Sequence, residues 1–288
     1  MALVKNPRTA AIFLGNMGAG KSTLLSQLID DDEREFPSGV SFMSGLTKEV
    51  SEQVVRINGE QVVLIDTPGL YESSNRATKA NAEKLTEALR RRYNYKIFIV
   101  LKATNRGLTS EDLALMSNVN KSVRQVDGAK VEYQVIINQI ENEETYNLYE
   151  TNVAYDNFRR VLESLDPEEY DLDIQIAGVT LLRSDKVAIK DKRFRDVITK
   201  QVQTHVPVQV KAKPIVTDNK DLKKFGAVAT SWFSAVSTIG AVSWTAEAVV
   251  TGSVVAGTLA AAAGVSAVGT LAAFFILKDM KAKRPSDH

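Results

Sequence analysis

The stretch Gly15-Asn16-Met17-Gly18-Ala19-Gly20-Lys21-Ser22 constrains this chain more than any other, because it fits the phosphate-cradling pattern G-x-x-x-x-G-K-[ST] without a mismatch. Its flanks give the match physical content. Ala10-Ala11-Ile12-Phe13-Leu14 ahead of it reads as a buried strand, and Leu24, Leu25 and Leu28 behind it fall at helical spacing. In a strand–loop–helix unit the glycines let the backbone curl, so that successive N–H groups point into one hollow beside a helix N-terminus. Residues Gly15 through Thr23 would line that hollow, Lys21 would reach the β- and γ-phosphates, and the Ser22 hydroxyl would bind Mg²⁺. A plain glycine-rich turn is the competing reading, and the flanking strand and helix argue against it.

A second motif follows at a strand end. Val50 to Ile57 and Gln61 to Ile65 bracket Asn58-Gly59, the sequence signature of a two-residue hairpin turn. The second strand runs out into Asp66-Thr67-Pro68-Gly69. An acid at the tip of an apolar strand, downstream of a phosphate loop, predicts a switch in which Asp66 holds Mg²⁺ through water and the Gly69 N–H senses the γ-phosphate. Thr47, in the loop before the hairpin, is placed to offer a hydroxyl to both Mg²⁺ and that phosphate. Lys21, Thr47 and Gly69 are thus the candidate catalytic residues, and Ser22, Thr47 and Asp66 the candidate metal ligands. The residue after Gly69 is Leu70, whose alkyl side chain cannot orient an attacking water, so intrinsic hydrolysis should be slow unless a second molecule supplies the missing group.

Further strands are expected at Ile97–Leu101, Val131–Ile137 and Asp173–Leu182, with helices over Glu72–Arg92, after Asp112, over Glu143–Leu165 and from Phe194 to about Val206. Thr109 with Asp112 three residues on reads as a capping box. Alternating strands and helices predict an α/β fold, a P-loop GTPase domain whose mostly parallel sheet is covered by helices on both faces. Asn138-Gln139-Ile140-Glu141 stands where guanine readers carry N-K-x-D. Asn138 is kept and Glu141 replaces Asp with a carboxylate one methylene longer. Guanine is favoured, and a polar loop without base contacts, or an adenine site, remains the alternative. The implied cofactors are GTP or GDP and Mg²⁺.

Composition narrows the remainder. There is no cysteine and only two histidines, so cysteine- or histidine-based metal sites are excluded. A net charge of +1 argues against a general nucleic-acid binder, hence no nucleic-acid partner is expected. Residues 1–206 read as the nucleotide domain, 207–224 as a basic linker, 225–277 as a hydrophobic helical hairpin, and 278–288 as a basic tail. Lysines outside the hairpin and none within it predict a two-span anchor with both ends cytoplasmic. The N-terminus lacks a secretory apolar core, which predicts the cytoplasmic side of an intracellular membrane, or the cytosol if the hairpin packs on protein instead.

Across Thr9 to Val206 the motifs resemble the immunity-associated, or avirulence-induced-gene, GTPases, relatives of septins. The resemblance rests on Gly15–Ser22, Thr47, Asp66–Gly69, and a box in which Leu108, Thr109, Glu111 and Asp112 fit while Gly107 stands in place of an arginine. It implies a GTP-dependent switch or scaffold, forming homo-oligomers by dimerisation through the nucleotide face on an intracellular membrane, with an effector protein still to be identified. Two other readings compete. One is a constitutively GTP-bound interaction protein that does not hydrolyse its nucleotide. The other is a P-loop ATPase.

Overall fold

The computed structural model describes residues 8–29, 36, 47–72, 74–102, 109–140, 172, 174–183, 192–218, 222–223 and 225. The chain divides into two compact units, Met1–Thr104 with Leu108–Ala229, and Asn105–Gly107 with Thr230–His288. The second lies wholly outside the described residues, as do the helix expected over 143–165 and, apart from the buried Phe225, the hairpin expected over 225–277. Among the described residues no helix is long and apolar enough to cross a membrane.

The first unit begins with β1 (Thr9–Gly15) and α1 (Lys21–Ser26), then the hairpin β2 (Ser51–Ile57) and β3 (Glu60–Asp66). It continues through α2 (Asn75–Leu89), β4 (Asn94–Lys102), α3 (Ser110–Ser122), β5 (Val123–Gln125) and β6 (Glu132–Ile140). It closes with β7 (Gln175–Arg183), α4 (Lys192–Thr204) and β8 (Val210–Ala212). The main sheet has the order β2-β3-β1-β4-β6-β7, with every pair parallel except β2 and β3. The antiparallel pair turns at Asn58 and Gly59, both at positive φ (48° and 87°), the geometry that two-residue hairpins demand.

This order puts the first strand between β3 and β4, so chain direction reverses around β1 and a crevice opens beyond its C-terminal end. The registers bring Asp66 beside Phe13, Val100 beside Gly15, and Asn138 beside Lys102. Residues far apart in sequence therefore share one edge of the sheet.

Alternation along the strands assigns the two faces. Ala11 and Phe13 of β1 join Phe98 and Val100 of β4 in one apolar cluster with Leu24 and Leu25 of α1 and Ile198 and Val202 of α4. The intervening residues Ala10, Ile12 and Leu14 are buried as well, which requires cover on the second face. There Tyr95 of β4 donates its hydroxyl to the carbonyl of Ala88 in α2 at 2.5 Å.

The stretch expected to be a basic linker starts as part of this unit. Val208 exchanges backbone hydrogen bonds with Tyr95, β8 pairs antiparallel with β5, and Ile215 N donates to Thr86 Oγ1 of α2 at 3.0 Å. Lys213 N bonds Ser122 O at the end of α3. A basic composition hid a strand in which Lys211 alternates with Val210 and Ala212.

Candidate functional site

Lys21 opens α1 directly from a left-handed Gly20 (φ 85°). A side chain there would run into Asn138 Nδ2, so Gly20 is required both by conformation and by the approach of β6. The Lys21 ammonium donates to the carbonyls of Gly15 and Asn16, each at 3.0 Å. Burial lowers its pKa to about 8, against the opposing pull of Asp66, Glu72 and Asp112. The cation is thereby held across the loop it serves.

Ser22, Thr47 and Asp66 converge. Ser22 Oγ donates to Asp66 Oδ2 at 2.6 Å and lies 2.9 Å from Thr47 Oγ1, which is itself 3.2 Å from the same carboxylate oxygen. Asp66 is fully buried, and desolvation raises its pKa against hydrogen bonds from Ser22, Thr47 and Thr67 and the charge of Lys21. Two hydroxyls 2.9 Å apart beside a buried carboxylate are hard oxygen donors that would hold Mg²⁺, directly from Ser22 and Thr47 and through water from Asp66. Ser51 stands opposite Asp66 in the β2–β3 ladder, and its buried hydroxyl has no hydrogen-bond partner among the described residues.

Gly69 lies against the phosphate loop. A Cβ on it would come within 2.5 Å of Met17 N, so only glycine allows the approach. Asn81 of α2 holds the Gly69 carbonyl at 2.6 Å, and Leu70 N bonds Gly15 O at 3.3 Å. Leu70 is fully buried, a core residue beside the site.

Asn138 donates from Nδ2 to Ala19 O at 3.0 Å, and Gln139, at φ 63°, donates from Nε2 to Gly18 O at 2.9 Å. Both bring the end of β6 onto the phosphate loop. Glu141, Arg106, Gly107 and Leu108 lie outside the described residues. The capping box is present: Asp112 N bonds Thr109 Oγ1 at 3.1 Å while Thr109 N bonds Asp112 Oδ2 at 3.2 Å.

The sequence reading missed what surrounds these residues. The motif makes Asn16 part of the cradle, and its side chain also donates to Asp112 Oδ1 at 2.8 Å and accepts from Tyr71 N at 3.4 Å. Tyr71 in turn accepts from Asn118 of α3 at 2.8 Å. The available signal was polar residues, Asn81 and Asn118, on helix faces that are otherwise buried.

Fold and site together define a P-loop GTPase: the chain binds GTP and GDP with Mg²⁺ and hydrolyses GTP. More particularly, residues 10–139 match the family model described as a 50S ribosome-binding GTPase. The chain is similar to the tRNA modification GTPase MnmE of Helicobacter pylori (strain Shi470), 30% identical over 118 residues, which are 41% of this chain and 25% of that protein. It is also similar to MnmE of Lysinibacillus sphaericus, 26% identical over 185 residues, covering 64% of this chain and 37% of the relative. The chain thus spans well under half the length of these relatives. Among solved structures, Aquifex aeolicus Era bound to GDP·AlF4⁻ resembles it at TM-score 0.46 and 19% identity, over 75% of this chain and 61% of that one.

Two expectations are corrected by these matches. The resemblance to immunity-associated, septin-related GTPases gives way to the ribosome-binding GTPase model and the MnmE relatives. The motifs that carried it are shared widely among P-loop GTPases and do not separate branches. The exclusion of nucleic acid also falls, because the relatives are named for modifying tRNA. Net charge over 288 residues averages away local basic faces, so it was the wrong quantity for that exclusion.

Proposed function

We propose that this GTPase works as a GTP-dependent switch with slow intrinsic hydrolysis and an RNA partner. In this reading Lys21 holds the β- and γ-phosphates, Ser22 and Thr47 give hydroxyls to the metal, and Asp66 holds a metal-bound water. The Gly69 N–H meets the γ-phosphate, the backbone of Gly15 to Thr23 cradles the phosphates, and Asn138 with Glu141 reads the base. Mg²⁺ supplies charge neutralisation on the β- and γ-phosphates.

The observation that carries slow hydrolysis is Leu70, buried directly after Gly69 with its N–H engaged by Gly15 O. Position 70 therefore presents no polar group to an attacking water. Single-turnover hydrolysis of GTP by dilute full-length protein is expected at a rate on the order of 10⁻³ s⁻¹ or below. A rate above about 0.1 s⁻¹ without any partner would overturn the reading.

RNA as partner is supported by the relatives' names and by the small sheet. Arg124 of β5 stands directly opposite Lys211 of β8, and Lys213 lies two residues further on the same face. Like charges directly opposed in a ladder are unfavourable, and Arg124 turns its guanidinium back onto the carbonyls of Asn120 and Val123. Lys211 and Lys213 are exposed and have no ion-pair partner among the described residues, while Arg90 reaches the same strand through Ala212 O at 3.0 Å. Binding of bulk tRNA is expected to weaken with salt, and the double variant K211E/K213E should flatten the log–log salt slope by about two. An unchanged slope, or binding to anionic lipid vesicles without binding to tRNA, would remove RNA from the proposal.

A further inference from the structure

We infer that Asn16, Asp112, Tyr71 and Asn118 form a clamp by which α3 holds the segment after Gly69 in the attitude that lets its N–H meet a γ-phosphate. Tyr71 and Asn118 are then positioning residues for telling GTP from GDP. The inference rests on the switch reading given above and adds residues to which that reading assigned nothing.

The clamp begins with a carboxylate that has only acceptors to offer. Asp112 is 2% exposed, and its two oxygens are spoken for: Oδ2 takes the Thr109 N–H at 3.2 Å, and Oδ1 takes Asn16 Nδ2 at 2.8 Å. That second bond fixes which way the Asn16 amide points, since only its nitrogen can face a carboxylate. Asn16 Oδ1 is consequently turned to the other side, where it receives Tyr71 N at 3.4 Å. The phenol end of the same residue is held independently, accepting from Asn118 Nδ2 at 2.8 Å. Tyr71 is 7% exposed and Asn118 3%, so neither bond has water as a ready substitute.

The residue so held lies two positions after Gly69. Gly69 packs against Met17 N, with its carbonyl on Asn81 of α2, and Leu70 N bonds Gly15 O. The segment is therefore gripped from α2 on one side and α3 on the other, with the phosphate loop between. An N–H directed at the γ-phosphate matters only for a triphosphate; a diphosphate leaves that position empty. Loosening Tyr71 should accordingly cost triphosphate affinity and spare diphosphate affinity. A contact that only stabilised the fold would affect both alike.

The test uses full-length protein and compares Kd for a non-hydrolysable GTP analogue with Kd for GDP, both with Mg²⁺, in wild type, Tyr71→Phe, Asn118→Ala and the double variant. Tyr71→Phe keeps the ring and deletes only the hydroxyl. It should raise the Kd of the analogue by about threefold to tenfold, as expected for one buried hydrogen bond, and leave GDP within about twofold. The double variant should be no worse than the worse single, because both changes break one bond. Thr86→Val, which removes the bond to Ile215 N elsewhere, calibrates a loss of stability alone. Equal factors for both nucleotides, or no change for either, would overturn the clamp. Should Tyr71→Phe fail to fold, the ratio in Asn118→Ala decides. Rapid hydrolysis by the wild type would instead strike the slow switch and leave the affinity ratio to judge the clamp.

Discussion

Lys21 shows what burial does to a side chain whose charge is its function. In the free protein desolvation lowers its pKa to about 8 from 10.5, although three carboxylates oppose the shift. Phosphates arriving at the cradle favour the charged form, so nucleotide binding above pH 8 must take up a proton. GDP affinity is therefore expected to fall about fivefold between pH 8 and pH 9, and little between pH 6 and pH 7. Titration calorimetry at pH 8.5 in two buffers of different ionisation enthalpy should register the proton directly. Identical apparent enthalpies in both buffers, after correction for nothing but dilution, would mean Lys21 is already fully charged in the free cradle.

At this scale a residue is legible in sequence where its type has one physical use. Gly20, Lys21, Ser22 and Asp66 came out of the motif alone, because a left-handed turn, a phosphate cation and a metal acid tolerate few substitutes. Tyr71, Asn118, Ser51 and the side-chain contacts of Asn16 did not. Their roles arise from which strands are neighbours, and β1 lying between β3 and β4 is not stated by any local pattern.

Among elements, the ones with a strong period were legible and the ones defined by pairing were not. Five of the six main strands come at apolar runs, and the hairpin turn at Asn58-Gly59 was announced by its sequence. The capping box at Thr109 and Asp112 was also readable, being a contact between residues three apart. What sequence could not reveal is that the same Asp112 leaves its second oxygen to the phosphate loop, 96 residues away in sequence. The short strands β5 and β8 escaped for a related reason. Three residues carry too little alternation to register, and each is a strand only because the other is beside it. The element-level consequence is that α3 serves two masters, capping itself and orienting Asn16. Its N-terminal carboxylate thereby links helix stability to the shape of the cradle.

For the molecule as a whole, the junction of β4 with α4 decides how the fold responds to acid. Lys96 of β4 donates its ammonium to the carbonyls of Val202 and Gln203 at 2.5 and 3.1 Å, satisfying the end of α4, where the helix dipole also favours a cation. His205 follows that helix end, buried edge-on to Phe98 with ring centroids 5.5 Å apart. Burial lowers the His205 pKa to about 4 from 6.5, the nearby Lys96 charge adding to the effect and a backbone hydrogen bond at Ile97 opposing it. The folded state thus refuses a proton that the unfolded chain accepts. Its contribution to stability is complete above pH 6.5 and is lost as pH falls through the window down to about 4. Asp66 and Asp112, whose burial raises their pKa values, slope the other way, so the histidine must be isolated by substitution. Between pH 7.0 and 5.5 the wild type should lose about 1 kcal/mol relative to His205→Leu in denaturant unfolding. A stability difference that stays flat across that interval would mean the imidazole reaches solvent and titrates at its ordinary value, and that the end of α4 is not sealed against β4 as the Lys96 bonds require.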